Sequence, residues 1–310
     1  MLCEIIVNAD IMWYNTWKDI CPMKRMIVMF KILNKENLND TVVAITVHAP
    51  RIAAKAEPGQ FVILRADSDG ERIPLTIADF DRAGGSVTII FQIVGATTLK
   101  LSHMNKGDFI PDFAGPLGKP TYTDGLKKVA VIGGGVGCAI AYPVAKKLHE
   151  IGCEVHSIIG FRNKDLVILE QEFSAISDVF KLMTDDGSAG EKGLVTTALE
   201  QLINSGNNYD EIIVIGPTIM MKFVSILTKK YGIKTTVSMN PIMIDGTGMC
   251  GGCRLNVGGE VKFACVDGPD FDGHQVDFDE AIRRAAMYKE QERACYDATC
   301  NLYKGVEDNA

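Results

Sequence analysis

Residues 129–137 read Val-Ala-Val-Ile-Gly-Gly-Gly-Val-Gly, an apolar run that ends in a cluster of glycines. The run has the composition of a short buried strand, and a helical pattern follows from about residue 139 to 150. Where such a strand turns directly into a helix, the glycine N–H groups and the helix dipole can hold a pyrophosphate. A glycine-rich turn alone does not establish such a site, so the surrounding segments decide the interpretation.

Downstream of this loop, short apolar strands alternate with helical segments. This alternation predicts a parallel sheet with right-handed crossovers, whose ligands bind at the carboxyl ends of the strands. The usual acidic ribose-binding residue after the second strand is replaced by Arg162, which can meet a 2′-phosphate or cover an adenine. The predicted strands are 154–161, 181–184, 212–215 and 234–238, and the predicted helices include 193–203 and 219–231.

Two later segments follow strands of this predicted sheet, and each alone reads equally well as a tight turn. Together with the glycine loop, and in this order, they favour a nucleotide-binding site at one edge of the sheet. The segments are Thr184-Asp-Asp-Gly-Ser188 and Gly216-Pro217-Thr-Ile-Met220-Met221.

Upstream of the glycine loop, the chain is rich in β-branched residues at 41–48, 60–65 and 86–94. Short strands with Pro-Gly or Gly-Gly turns between them predict an antiparallel barrel that extends to about residue 122. Two polar segments interrupt the strands, Arg72-Ile-Pro-Leu-Thr76 and Gly95-Ala-Thr-Thr98. Taken alone, Arg72 reads as a surface cation and Thr76 as a strand hydroxyl.

A cysteine box lies near the C-terminus and reads Asp245-Gly-Thr-Gly-Met-Cys250-Gly-Gly-Cys253, with Cys265 after eleven intervening residues. The glycines allow the tight turns that let two nearby thiols reach one iron. They also leave backbone N–H groups free to point at cluster sulfides. A structural zinc site would ordinarily show two close pairs of ligands. An iron–sulfur cluster is therefore favoured over zinc and over a glycine-rich turn with incidental buried thiols.

The composition is that of an ordinary globular protein, with 310 residues, 47% hydrophobic and 23% charged. A net charge of −7 argues against nucleic acid as the main ligand. Nine unevenly scattered cysteines indicate a reducing cytoplasm rather than a disulfide framework. Outside the box they are expected to be free thiols: Cys3, Cys21, Cys138, Cys153, Cys295 and Cys300.

Both ends of the chain carry further predictions. Residues 1–28 hold both tryptophans, but Glu4, Asp10 and Lys18 interrupt any signal-peptide core or membrane span. The functional fold is therefore predicted to begin at Met29, with the leader outside it and poorly ordered. The acidic run 270–280 is predicted to be a solvated loop and a helix start capped near Asp277.

The order of barrel, Arg/Pro/Thr segment, Gly-Gly-Gly-Val-Gly loop, Gly-Pro-x-x-Met-Met segment and cysteine box resembles the ferredoxin–NADP reductase superfamily. Within it, the chain is similar to the electron-transfer subunit of class B dihydroorotate dehydrogenase. It is more similar to the small subunit of NADH-dependent ferredoxin:NADP oxidoreductase, also called sulfide dehydrogenase. The distinguishing residue is Asp245, which in the bifurcating small subunits is a cluster ligand and in dihydroorotate dehydrogenase subunits is replaced by a fourth cysteine.

The resemblance implies three groups of site residues. The [2Fe–2S] ligands would be Asp245, Cys250, Cys253 and Cys265. Thr76 would lie near flavin N5 as the candidate catalytic residue, although Ile73 stands where the family commonly has arginine and Thr97 replaces a common glycine. The FAD contacts would be Arg72, Pro74, Leu75, Thr76, Phe91, Gln92, Ile93, Gly95, Thr97 and Thr98. The NAD(H) contacts would be Gly134, Gly135, Val136, Gly137, Gly160, Arg162, Asp185, Asp186, Gly216, Pro217 and Met220.

The resemblance also implies a domain plan and a function. The plan is an extension at 1–28, an FAD-binding β-barrel at 29–122, an NAD(P)-binding α/β domain at 123–238 and a [2Fe–2S] domain with a terminal helix at 239–310. Electrons would pass between NAD(H), with NADP(H) as the alternative, FAD and the cluster to a larger iron–sulfur flavoprotein, and indirectly to ferredoxin. Neither nucleic acid nor a membrane is an expected partner. The alternatives are a dihydroorotate dehydrogenase electron-transfer subunit and a non-catalytic metal-binding redox module.

Overall fold

The computed structural model describes residues 29–68 and 70–307. The prediction for the leader, residues 1–28, therefore lies outside the described residues. The described chain forms an antiparallel sheet, a mostly parallel sheet and a small C-terminal hairpin with two helices. This architecture confirms the predicted fold class of a barrel, an α/β nucleotide-binding unit and a small C-terminal unit.

The N-terminal sheet has seven antiparallel strands in the order β6-β1-β2-β5-β4-β3-β7. Alternating apolar residues point inward along β2 and β5, because successive side chains of a strand face opposite sides of the sheet. Their buried members form one apolar core. The elements are β1 (Phe30–Asn37), β2 (Val42–His48), α1 (Pro50–Ala53), β3 (Phe61–Arg65), β4 (Ile73–Asp81), β5 (Ser86–Gln92), α2 (Ala96–His103), β6 (Phe109–Ile110) and β7 (Asp112–Leu117).

The second sheet has the order β11-β10-β9-β8-β12-β13-β16, parallel except for its last strand. Its central strands are almost continuously apolar because helices cover both faces. The elements are β8 (Lys128–Gly134), α3 (Gly137–Glu150), β9 (Glu154–Phe161), α4 (Glu170–Ile176), β10 (Val179–Thr184), β11 (Glu191–Lys192), α5 (Val195–Asn204), β12 (Glu211–Ile215), α6 (Thr218–Tyr231), β13 (Thr235–Ser238) and β16 (Asp270–Asp272).

The C-terminal unit follows a long loop after β13. It contains the hairpin of β14 (Arg254–Val257) and β15 (Glu260–Phe263), then α7 (Phe278–Ala285) and α8 (Lys289–Glu307). Asp277 accepts a hydrogen bond from the Glu280 N–H at 2.8 Å, which confirms the predicted cap. Among the described helices, none combines the length and apolar character needed to cross a membrane. The seven described cysteines form no disulfide.

One sequence expectation is wrong in the acidic run 270–280. Residues Asp270–Asp272 form β16, which pairs with β13, and Asp270 is half-buried with its Oδ1 atom shielded from solvent rather than solvated. Its carboxylate accepts a hydrogen bond from the Thr121 hydroxyl at 2.6 Å. Burial raises the pKa of Asp270 to about 6, and the Thr121 and Ser238 hydroxyls offset part of this effect. The carboxyl therefore joins the segment after the barrel to the strand that follows the cysteine box.

One buried hydrophobic cluster spans the three units. Phe61 and Ile63 of the barrel belong to the same buried cluster as Ile132 of the parallel sheet and the cysteines Cys253 and Cys265. At the other end of the chain, α8 packs against α2, where the rings of His103 and Tyr303 stack with centroids 3.9 Å apart. The terminal helix thus reaches back to the barrel.

Candidate functional site

A single large cavity lies where the barrel meets the carboxyl edge of the parallel sheet. Its volume is about 1660 Å³, whereas pockets for one small molecule measure roughly 300–1,000 Å³. The space therefore suits two ligands. Nineteen of the predicted contact positions line it: Arg72, Pro74, Leu75, Thr76, Phe91, Gln92, Gly95, Thr97, Thr98, Gly134, Gly135, Val136, Gly137, Gly160, Arg162, Asp185, Gly216, Pro217 and Met220.

Two predicted contact positions do not line this cavity. Ile93 packs against the barrel core, and its N–H donates to the Thr41 carbonyl at 2.8 Å. The Asp186 carboxylate accepts hydrogen bonds from the Ser188 hydroxyl at 2.6 Å and the Ser188 N–H at 2.9 Å. These bonds lower the pKa of Asp186 and fix it in the turn after β10.

The barrel wall presents a helix N-terminus to the cavity. Helix α2 begins after Gly95, and the Thr98 hydroxyl oxygen accepts hydrogen bonds from the N–H groups of Gly95 and Val94 at 2.9 and 3.0 Å. The first N–H groups of a helix have no intrahelical partners, so they favour an anion such as a phosphate. The buried Thr97 hydroxyl donates to the Glu71 carboxylate at 3.1 Å. Glu71 also lines the cavity and was not predicted from sequence, where only its neighbour Arg72 stood out.

The opposite wall is the glycine loop between β8 and α3. The Gly135 N–H donates to the Gly160 carbonyl at 2.9 Å, which ties the loop to the end of β9. A Cβ atom on Gly137 would stand 2.6 Å from the Ile215 carbonyl oxygen, and one on Gly160 would stand 2.5 Å from a Val195 methyl. Only glycine allows these close approaches. The N-terminus of α3 therefore lies at the cavity wall, where a helix start favours an anion such as a pyrophosphate.

The third part of the wall leads to the cysteine box. Asn240, Ile242, Met243 and Ile244 line the cavity, and Asp245 follows directly. Tyr288, directly before α8, and the α8 residues Gln291, Glu292 and Cys295 also line it. The α8 contribution was missed from sequence because no periodic or motif signal marks these residues. The barrel, the glycine loop and the residues that lead to the cysteine box therefore line one cavity.

The four predicted cluster ligands form two pairs. The Sγ atoms of Cys253 and Cys265 lie 3.3 Å apart, and both side chains are buried. Asp245 stands beside Cys250, because its Oδ2 accepts the Cys250 N–H at 2.9 Å while its Oδ1 accepts the Thr247 N–H at 2.8 Å. These bonds lower the pKa of Asp245 and keep it ionised, and the bond from the Thr247 N–H has the largest effect. Burial raises the pKa of Cys265 to about 12, so binding a metal there must displace a proton.

This donor set fits a binuclear cluster better than a single metal ion. Within residues 29–68 and 70–307, no three His, Cys, Asp or Glu side chains converge as one ion requires. A [2Fe–2S] cluster instead takes two ligands on each iron, and the spacing Asp245-x4-Cys250-x2-Cys253 matches the plant-type ferredoxin pattern. Backbone N–H groups of Gly252 and Cys265 lie 3.5 Å from the Sγ atoms of Cys250 and Cys253. Such groups stabilise thiolate ligands.

Comparisons with known proteins agree with this geometry. Residues 240–277 match the model of the iron–sulfur cluster binding domain of dihydroorotate dehydrogenase B. The chain is 46% identical to a dihydroorotate dehydrogenase B (NAD(+)) electron transfer subunit homolog of Thermotoga maritima, over 86% of this chain and 94% of the relative. It is 35% identical to the electron transfer subunit of Streptococcus mutans, over 79% of this chain and 99% of the relative.

The comparison of folds gives the same grouping. A chain of an NADH-dependent reduced ferredoxin–NADP oxidoreductase, solved in work on flavin-based electron bifurcation, superposes with a TM-score of 0.83. It is 45% identical, and the match covers 87% of this chain and 98% of that one. A cytochrome P450 reductase of Amycolatopsis, 22% identical with a TM-score of 0.54 and 65% coverage of each chain, shares the fold alone.

Proposed function

Because the chain belongs to the dihydroorotate dehydrogenase B-type electron-transfer subunits of the ferredoxin–NADP reductase superfamily, we propose that it moves electrons from NADH through FAD and a [2Fe–2S] cluster to a larger flavoprotein subunit. The observation that carries this proposal is the shared cavity. Its wall runs from the barrel through the glycine loop to Ile244, the residue before Asp245. FAD, when bound, would supply the chemistry of accepting one hydride, and so two electrons, from NADH and of releasing them one at a time, which is how an iron–sulfur cluster takes electrons.

The residues of the barrel wall hold and orient the flavin in this proposal. The N-terminus of α2, with Thr97 and Thr98, would hold the FAD pyrophosphate, assisted by Arg72. Thr76 on β4 would donate a hydrogen bond at the flavin N5 position. The half-buried Pro74 and Leu75 would lie against the ring. Apolar residues of this wall keep water away from the reacting atoms.

The glycine loop and strand ends hold the nicotinamide cofactor. Gly134 to Gly137 would cradle its pyrophosphate, and Gly216-Pro217 with Met220 would lie beside the nicotinamide half. Arg162 and Asp185 would contact the adenosine half at the ends of β9 and β10. The names of the relatives specify NAD(+) and NADH, and we assign NADH to this chain on that ground. NADPH, which Arg162 could accommodate, is the alternative.

The electron acceptor would be a larger iron–sulfur flavoprotein that docks on the cysteine box. Asp245 is half-buried and Cys250 is exposed, and the neighbouring Met249 side chain is 88% exposed. An exposed edge of the cluster with an apolar neighbour suits a protein acceptor. We propose that this chain and its larger partner form a complex in the cytoplasm. Ferredoxin would be an indirect partner, and electron bifurcation would be a property of the assembled complex. A role in a dihydroorotate dehydrogenase is the second candidate, favoured by the relatives' names and opposed by the carboxylate at Asp245.

The proposal also retains the domain plan. The barrel would comprise residues 29–122, the nucleotide-binding unit 123–238 and the cluster unit 239–310. Thr121 lies at the end of the first unit and Asp270 within the third, and the Thr121 hydroxyl donates to the Asp270 carboxylate at 2.6 Å.

A pair of cysteine variants tests the proposed electron path. Cys253→Ala removes a buried candidate ligand, and Cys153→Ala removes a buried thiol at the opposite edge of the parallel sheet. Cys253→Ala should lose its iron and its reduction of one-electron protein acceptors but retain bound flavin and NADH oxidation with ferricyanide. Cys153→Ala should keep all four properties. Normal iron content and an unchanged visible spectrum in Cys253→Ala would contradict the proposed function.

A further inference from the structure

Two arginines contact the short loop that joins two of the candidate cluster ligands. The Arg284 Nη2 atom donates to the Gly252 carbonyl at 3.1 Å, and the Arg254 Nη1 atom donates to the Gly251 carbonyl at 3.4 Å. These carbonyls are consecutive, and they are the only two peptide oxygens of the residues between Cys250 and Cys253. Both guanidinium groups therefore lie against the same loop.

Arg284 is held in this position by the surrounding helices. It lies in the last turn of α7, whose first turn is capped by Asp277 and tied to α6 by the ion pair of Lys222 with Asp279 at 2.6 Å. Helix α7 also packs against β14, which begins directly after Cys253. The Arg284 side chain is half-buried, whereas Arg254 and Arg283 are exposed. Its charge is accordingly less screened by water than theirs.

We propose that Arg284 raises the reduction potential of the cluster held by this loop, with a smaller contribution from Arg254. The inference rests on the proposed function, because it takes Cys250 and Cys253 as cluster ligands. Arg284 is a positioning residue: it touches a loop carbonyl and acts on the cluster through that loop and through its charge.

The physical reason is the charge that reduction adds. A cluster bound by three thiolates and one carboxylate gains one negative charge when it takes an electron, so a nearby cation stabilises the reduced form more than the oxidised form. The hydrogen bond to Gly252 also restrains the loop, which keeps the Gly252 N–H directed toward the Cys250 Sγ atom at 3.5 Å. Hydrogen bonds to ligand sulfurs favour the reduced cluster in the same direction.

The test is a redox titration of the full chain, followed by the EPR signal of the reduced cluster. Arg284→Gln should shift the one-electron equilibrium by about tenfold toward the oxidised cluster, which corresponds to about 59 mV. Arg254→Gln should give a smaller shift in the same direction. Arg283→Gln removes the same charge from the next residue of α7 and is the matched control, with the smallest shift.

The iron content and visible spectrum separate this inference from the proposed function. A wild-type chain that binds no cluster would contradict the proposed function itself. A normal cluster whose potential is the same in Arg284→Gln and Arg283→Gln would overturn only the role of Arg284. If Arg284→Gln assembles too little cluster to titrate, Arg284→Met, which also removes the charge but keeps a long side chain beside the loop, decides: a potential below the wild-type value supports the proposal, and an unchanged one overturns it.

Discussion

Asp270→Asn should stabilise the protein at alkaline pH. Asp270 is half-buried at the junction of the parallel sheet, the barrel connection and the cluster unit, with its Oδ1 atom shielded from solvent, and this burial raises its pKa from 3.8 to about 6. A carboxyl whose pKa is higher in the folded state than in the unfolded state lowers the free energy of unfolding whenever it is ionised. Asparagine has nearly the same shape, carries no charge, and keeps an oxygen that can accept the Thr121 hydroxyl.

The size of the effect follows from the pKa shift. The rise of the Asp270 pKa from 3.8 to about 6 lowers the free energy of unfolding by about 3 kcal/mol at pH 8, where the carboxyl is ionised in both the folded and the unfolded state. The pKa of about 6 already includes the hydrogen bonds from Thr121 and Ser238, so the expected gain is about 3 kcal/mol at pH 8. Because the folded state binds the extra proton between pH 4 and 6, the gain falls to about 2 kcal/mol at pH 5.

Thermal unfolding at two pH values checks this prediction. A gain of about 3 kcal/mol should raise the Tm of Asp270→Asn by about 5 °C at pH 8, and the difference should shrink to about 3 °C at pH 5. Asp124→Asn, an exposed carboxyl three residues after Thr121, is the matched control and should shift Tm at neither pH. A variant less stable than the wild type at pH 8, or a gain that does not narrow at pH 5, would refute the reasoning.

Two further predictions concern the cofactor cavity. Gly137→Ala should raise the KM for NADH by at least about tenfold while leaving flavin and iron content normal. The reason is that its Cβ would meet the Ile215 carbonyl at 2.6 Å and displace the loop. Steady-state kinetics with ferricyanide measures the KM, and an unchanged KM would contradict the role of the loop. Deletion of α8 should speed the release of flavin on dilution, since the His103–Tyr303 stack couples α8 to α2. Flavin fluorescence follows the release, and equal rates in both proteins would show that α8 does not retain the cofactor.

The sequence was most informative where local rules decide the structure. The apolar runs of β8, β9 and β12 and the glycine loop define a parallel sheet because buried strands and tight turns leave few alternatives for such residues. The cysteine box was recognisable for the same reason, since spacing along the chain limits which side chains can meet.

Features that depend on contacts between distant segments were not predictable. Asp270 was expected in solvent because its neighbours are acidic, yet it is half-buried by pairing with β13 and by contact with Thr121, 149 residues away in sequence. Arg284 carries no motif, and its contact with Gly252 spans 32 residues. Nor does any periodicity indicate that α8 reaches the cavity wall. Tertiary packing, which single-sequence patterns do not encode, decides each of these cases.

The most direct test of the electron path is an anaerobic titration of the purified chain with NADH, followed by its visible and EPR spectra. We expect about one flavin and about two iron atoms per chain. NADH should bleach the flavin bands and produce the EPR signal of a reduced [2Fe–2S] cluster. A colourless protein that carries zinc and does not oxidise NADH would contradict it.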